Sequence, residues 1–355
     1  MKLVIKVGTQ SILADDGTPL ESVMLNLVEQ IVKLYHDGHE IVLVSSGAVG
    51  SGRKIARELF KREFGKSIGE KQLLASLGQH ELIHLYAKLF KPHKILVSQL
   101  LLTRQDFQTR QHYLNISRLL HEIIEHKNII PIINENDSVS VEELMFTDND
   151  ELAGLIAAQM NADKLIIISN VKGVYTTHPT DPNAQLIPVI NPNQGWPEVS
   201  TAKSTHGRGG MTSKLAMSRK MSALGITTHI VSNDDPAVIT KLVAGEPLGT
   251  TILPAKKKSN IKRWMAYTAD KHGSIFVNTG LYEILKKNER VISILPIGIE
   301  HCDGNFKKGD LVEVLGPNGE KVGVGLAKYD TNRLKSYLGK KDQPEFIHYD
   351  YLHIF

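Results

Sequence analysis

Gly209-Gly210-Met211-Thr212-Ser213-Lys214 has the composition of a phosphate-binding turn. Two glycines let backbone amides approach an anion, the helix start that follows adds unpaired N–H groups and a positive dipole end, and Lys214 brings a mobile full charge. The chemistry this suits is phosphoryl transfer. No G-x-x-x-x-G-K-[ST] occurs in the chain, so the usual P-loop kinase fold is not expected.

Other polar clusters follow apolar runs. Leu3-Val4-Ile5-Lys6-Val7-Gly8-Thr9 reads as a buried first strand ending at Gly8, which aims Lys6 into the crevice at the carboxyl end of a sheet. After a second run, Ser45-Ser46-Gly47-Ala48 offers amides and the Ser46 hydroxyl to an anion, although glycine-rich turns also serve as plain structure. A third run, residues 129–133, leads into Asn134-Glu135-Asn136-Asp137, and Thr147-Asp148-Asn149-Asp150 opens a helical pattern. Capping a helix needs one of those acidic or amide residues. The surplus suits an ammonium group, or lysines and Mg²⁺ gathered around phosphate, with Asp137 as the ammonium contact and Asp150 as the group that orients cations. The strand 164–170 ends in Ser169-Asn170 and runs into Val171-Lys172-Gly173-Val174-Tyr175, either one wall of a nucleotide pocket or a simple connection.

In this order the pieces resemble the amino-acid kinase family, and within it the glutamate 5-kinase (γ-glutamyl kinase) branch. The matching stretches are Ile5-Lys6-Val7-Gly8-Thr9, Ser45-Ser46-Gly47-Ala48, Lys71-Gln72-Leu73-Leu74-Ala75, Ile133-Asn134-Glu135-Asn136-Asp137, Asp148-Asn149-Asp150, Lys172-Gly173-Val174-Tyr175 and the glycine turn through Lys214. The resemblance implies ATP-dependent phosphorylation of the L-glutamate γ-carboxylate to γ-glutamyl phosphate, which opens proline synthesis. It implies that Lys6 and Lys214 neutralise the transferring phosphoryl group while Asp150 holds them in place. Ser46, Asp137 and Asn149 would bind glutamate. Ser169, Asn170, Arg208, Gly209, Gly210, Met211, Thr212, Ser213 and Lys214 would line the ATP site together with Lys6. Mg²⁺ would accompany ATP, with no metal held by the protein itself, and proline is implied as a feedback inhibitor. Two positions depart from the resemblance: Arg208 stands where Thr is common, and His178 where Asp is common. Related kinases acting on N-acetylglutamate, aspartate, carbamate or uridylate share the phosphate machinery and form the nearest alternative.

No general base is required by such a reaction. A carboxylate nucleophile is ionised at neutral pH, so catalysis rests on positioning and on neutralising anions.

The elements that must position these residues read as a layered α/β domain with a mostly parallel open sheet between helices. Helices are expected over Glu21–His36, with Val23, Leu27, Ile31 and Leu34 in one stripe, and over 79–90, with Leu82, Ile83, Tyr86 and Leu89. The basic segment 54–66 reads as a solvated helix or excursion. In the resembling fold it lies near the substrate loop and contributes to assembly, so a homo-oligomer is expected. His206 has no metal-ligand spacing around it.

Pro254-Ala255-Lys256-Lys257-Lys258-Ser259-Asn260 suits an exposed linker, giving a kinase domain over 1–258 and a second domain over 262–355. The second is expected to be a small β-rich barrel, from short runs at 274–277, 291–295, 311–315 and 321–326 between Gly and Pro turns. With Gly304-Asn305-Phe306-Lys307-Lys308-Gly309-Asp310 it resembles the PUA domain. PUA domains can bind RNA, and Lys307 with Lys308 could meet phosphates, but the tract lacks a basic stripe and RNA is not the expected partner.

Composition agrees with a cytoplasmic enzyme. The 355 residues are 41% hydrophobic, enough for two cores, and no apolar run approaches a membrane span. A net charge of +4 is small for this length, and the single cysteine, Cys302, excludes an intramolecular disulfide and reads as a core residue.

Overall fold

A computed structural model describes residues 1–65, 67–107, 110–139, 148–197, 210–255, 273–287 and 292–354. The expected site residues Arg208 and Gly209 lie outside these, as do Thr147, His206, Val291, Lys66 and residues 256–260 of the expected linker. The chain divides into two compact units, Met1–Lys257 and Lys258–Phe355.

In the first unit, strand β1 (Lys2–Val7) pairs in parallel with β2 (Glu40–Ser45) on one side and β5 (Lys164–Ser169) on the other. All three carry an apolar centre between polar residues and are buried beyond their first residue, because helices cover both faces of the sheet. The remaining strands are β3 (Leu96–Leu102), β4 (Ile129–Glu135), β6 (Val189–Ile190), β7 (Thr227–Ser232) and β8 (Thr250–Ile252), in the order β3-β4-β2-β1-β5-β7-β8-β6. Every pairing is parallel except β7 with β8. From β1 the chain builds outward through β2, β3 and β4, then returns to place β5 on the opposite side of β1. That reversal opens a crevice at the carboxyl ends of β1 and β5.

The helices of this unit are α1 (Thr9–Ile12), α2 (Glu21–His36), α3 (Ala48–Phe60), α4 (Ile68–Phe90), α5 (Arg110–Glu125), α6 (Asn149–Met160), α7 (Met211–Ala223) and α8 (Val238–Ala244). α2 keeps its expected bounds and buries Leu27, Ile31 and Leu34, with Met24 buried more fully than Val23. α4 starts at Ile68, about three turns before the expected 79. Its first half has no apolar stripe to betray it, but a capping box fixes the start: the Ser67 hydroxyl accepts from the Glu70 backbone N–H, and the Glu70 carboxylate accepts from the Ser67 N–H. The basic segment 54–66 continues α3 as far as Phe60, where Lys61 turns the chain in the left-handed region.

α3 and α4 touch backbone to backbone. A Cβ on Gly52 would lie 1.8 Å from the Leu74 carbonyl oxygen, and one on Gly78 would lie 1.8 Å from that of Ala48. Only glycine permits that approach.

The second unit holds β9 (Gly273–Val277), β10 (Ile299–Gly304), β11 (Leu311–Leu315), β12 (Lys321–Leu326) and β13 (Leu352–Ile354), in the order β10-β9-β11-β12-β13. With α9 (Thr279–Lys287) and α10 (Thr331–Tyr337), they surround a separate core that includes Ile275, Phe306, Val314, Phe346 and Ile347. Cys302 is buried in this core. Of the run 291–295 expected as a strand, only Ile294 bridges among the described residues, to Ile347, and Pro296 then opens a short 3₁₀ turn because it lacks an N–H for a ladder.

The glycine contact yields a test. Gly78→Ala should push α3 from α4 and lower stability by about 1–3 kcal/mol, the usual cost of overpacking, in denaturant unfolding.

Candidate active site

Lys6, near the end of β1, is 6% exposed and Asp150, in the first turn of α6, is 0% exposed. A buried ammonium needs a partner. Lys6 Nζ lies 2.7 Å from Asp150 Oδ1, and Lys214 Nζ, on the first turn of α7, lies 2.9 Å from Oδ2. Burial pushes the Asp150 carboxyl up, but the charges and hydrogen bonds of the two lysines outweigh it and hold it down at about 2. The carboxylate is therefore ionised throughout the physiological range, and the three groups together carry one net positive charge.

Two local features bring these residues into register. Asp148 is the N-cap of α6, accepting from the backbone N–H groups of Asp150 and Glu151 at 3.0 and 3.1 Å, and its other oxygen accepts from the Ser213 hydroxyl at 2.5 Å. One acidic side chain thus fixes the starts of α6 and α7 relative to each other. Four residues beyond Asp150, Gly154 admits Met217 of α7 so closely that a Cβ would sit 1.9 Å from its sulfur.

Beside this triad lies an amide network. Asn149 Nδ2 donates to Ser46 Oγ at 2.8 Å and to Asn134 Oδ1 at 2.9 Å. Asn134 in turn donates to Gln79 Oε1 of α4 at 2.7 Å. Both strong donor directions of the Asn149 amide are spent, so its orientation is fixed, and its Oδ1 is buried with no partner among the described residues. Ser46 Oγ accepts from Asn149, which leaves its own O–H to donate elsewhere. Gly47 follows at φ 113°, a conformation that favours glycine, and starts α3 without a side-chain cap.

Both clusters open into one cavity of about 370 Å³. It brings together Lys6, Ser46, Asp137, Asn149, Asp150, Ser169, Asn170 and Lys214. Gly210, Met211, Thr212 and Ser213 form the N-cap and first turn of α7 but do not line it. His178, the other departure noted in the sequence, is exposed on its loop and pairs with Thr180 Oγ1 at 2.7 Å.

The amino acid kinase family profile matches residues 1–232, and the PUA domain profile matches residues 273–344. The chain is 39% identical to "Glutamate 5-kinase" of Bacteroides thetaiotaomicron over 358 residues, covering 99% of this chain and 98% of that protein. It is 37% identical to "Glutamate 5-kinase" of Chlorobaculum tepidum over 99% of this chain and 97% of that one. The chain belongs to the glutamate 5-kinase branch of the amino acid kinase family. Among solved structures, a UMP kinase from Bacillus anthracis is similar with a TM-score of 0.49 at 17% identity, covering 72% of this chain and 96% of that chain.

Within this family member, sequence reasoning did not single out Gln79, Asn134 or Asp148 for the site. Gln79 sits in a helix whose apolar stripe drew the attention, and the Asp148-Asn149-Asp150 run does not say which carboxylate caps. The one signal available for Asn134 was an amide ending a wholly apolar strand, where burial demands partners.

Asp148 supports a pH test. Burial and then the neighbouring Asp150 charge push its carboxyl above the ordinary value, so its ionised form opposes folding at neutral pH. Asn caps a helix as well as Asp does. Asp148→Asn should therefore raise the Tm at pH 7. As pH falls through the raised folded-state pKa towards the unfolded value, the wild type takes up its proton and the advantage should vanish. Thermal unfolding of both proteins from pH 7 to pH 4 measures the difference.

Proposed function

We propose that this protein transfers the γ-phosphoryl group of ATP to the γ-carboxylate of L-glutamate, giving γ-glutamyl phosphate and ADP, the opening step of proline synthesis. The observation that carries this reading is the pair of buried lysines held on Asp150 at the mouth of the crevice, next to a polar acceptor pocket. A glutamate carboxylate oxygen attacks the γ-phosphorus, the new P–O bond forms as the β,γ-bridging bond breaks, and ADP carries away the electron pair. No proton has to move. Lys6 and Lys214 face the anionic charge that spreads over the transferring group and the bridging oxygen, preorganised by Asp150 so that neither must reorient during the step. The amides at the start of α3 and the Ser46 O–H suit the attacking carboxylate. Asp137 and the unpartnered Asn149 Oδ1 suit the α-ammonium group. A charged acceptor of this kind favours free glutamate over an N-acylated one, whose amide is neutral.

Mg²⁺ fits as a companion of the nucleotide. Both oxygens of Asp150 are taken by lysines and Asp148 is taken by a cap and Ser213, and the described residues contain no cluster of three or more metal-ligating side chains. Bound on phosphate oxygens, it would add to the neutralisation of charge. Ser169 and Asn170 would stand at the nucleotide side with the start of α7 from Gly210 to Lys214, and Arg208 and Gly209 would serve the same ligand.

Among the described residues no helix is long and apolar enough to cross a membrane. The same reading expects a cytoplasmic homo-oligomer that proline inhibits, with the second domain accessory to the chemistry. A chain cut near Ser259 should fold and retain kinase activity; loss of the fold would show that the two units depend on one another.

Hydroxamate trapping of the acyl phosphate tests the reaction. Glutamate should respond well above aspartate or N-acetylglutamate, and equal activity with N-acetylglutamate would overturn the assignment. Lys214→Ala should lower kcat by about a hundredfold or more, as loss of an electrostatic donor does. Asp137→Ala should act mainly on the KM for glutamate and less on that for ATP.

A further inference from the structure

Among the described residues four cations line the cleft, and the triad accounts for two of them. Arg53 and Lys71 also line it, half-buried, and among the described residues neither has a carboxylate partner. Arg53 is the sixth residue of α3 and Lys71 the fourth of α4. These are the helices locked by the Gly52 and Gly78 contacts, so a single rigid pair carries both charges. The Arg53 guanidinium is held along the turn between them, its Nη2 3.4 Å from where a Cβ of Gly65 would stand.

Their place along the sheet edge decides what they face. Strands run in the order β4-β2-β1-β5 across the crevice. Lys6 ends β1, Ser169 ends β5, and Lys214 joins them from α7, so phosphate charge is met on the β1–β5 half. Asp137 follows β4, and Ser46 and α3 follow β2, which makes the β4–β2 half the acceptor side. Arg53 and Lys71 belong to that side. An α-amino acid brings one cation and one anion to it besides the reacting carboxylate. Asp137 answers the cation, and an α-carboxylate left unpaired in a partly desolvated cleft would be strongly disfavoured.

We propose that Arg53 and Lys71 bind the α-carboxylate of the acceptor amino acid, making them specificity-determining residues that select a free α-carboxylate. This rests on the reading of the cleft as a γ-carboxylate kinase site. The pair also sets the register of the substrate: with the α-carboxylate drawn towards α3 and α4 and the α-ammonium towards Asp137, the side-chain carboxylate is the end that reaches the triad.

The test uses the full-length protein, Mg-ATP and hydroxamate trapping with two acceptors, L-glutamate and its α-amide. The amide keeps the γ-carboxylate and replaces the α-carboxylate by a neutral group. Wild type should prefer glutamate by roughly tenfold to a hundredfold in kcat/KM, the worth of one charge-assisted contact. In Arg53→Met and Lys71→Met the glutamate KM should rise by a similar factor, roughly tenfold or more, and the preference over the amide should shrink. The ATP KM should hold within about twofold, because the phosphate half is untouched. Arg53→Lys should restore part of the preference by returning the charge. A rise in the ATP KM in place of the glutamate KM would overturn the proposal by assigning the cations to phosphate. An unchanged glutamate-to-amide ratio in both Met variants, whatever happens to kcat, would overturn it by making their role structural. If circular dichroism shows Arg53→Met unfolded, Lys71→Met carries the same comparison. Wild type that yields no hydroxamate from either acceptor would overturn the underlying kinase reading and this proposal together, an outcome distinct from the others.

Discussion

Asp150 is the point on which the catalytic unit is arranged. Two ammonium groups taken out of water would repel each other and lose their hydration, and one carboxylate between them reverses both penalties. A buried ion cluster of this kind is weak evidence for stability, since well-packed apolar groups would often serve the fold as well. Its retention makes sense as preparation for an anion. The three residues come from β1, α6 and α7, and the shorter of the two steps between them, from Asp150 to Lys214, is 64 positions. Gly154 and the shared Asp148 contact explain how helices so distant in the chain reach a common point.

A second arrangement complements the first. α3 and α4, joined at two glycines, stand over the other half of the crevice and send Lys71 and Arg53 into it. The Gln79–Asn134–Asn149–Ser46 chain of hydrogen bonds ties that helix pair to the sheet edge and to α6. Asn149 is adjacent to Asp150, so the acceptor network and the phosphate triad share one helix start. Displacing either displaces both, which is what positioning two anions within bonding distance demands.

Much of this was legible in the sequence because buried parallel strands announce themselves as unbroken apolar runs, and polar residues immediately after such a run point into the crevice. Ser46 after β2 and Asn170 after β5 follow that rule, Lys6 sits just inside the end of β1, and Asp148-Asn149-Asp150 is legible as a helix start. The amphipathic stripe gave α2 its bounds, whereas the first half of α4 escaped because its packing uses glycine in place of a wide apolar face. Division of labour among adjacent polar residues was not legible. Whether Asp148 or Asp150 caps the helix depends on backbone direction at one residue, and the pairing of Asn134 with Gln79, 55 positions away, is a product of the tertiary fold. The roles of Arg53 and of Lys71, which opens one of the matching stretches, were hidden for a simpler reason: in a helix a cation that faces a cleft looks the same as one that faces water.

The solitary cysteine has a chemical meaning beyond packing. An acyl phosphate is an electrophile, and thiolates are the side chains most prone to take its acyl group. The catalytic unit contains no cysteine at all, and Cys302, in the other unit, is buried, with burial pushing its thiol up and so suppressing the nucleophilic form. A product of the kind proposed would thus leave its birthplace without meeting a thiol that could capture it.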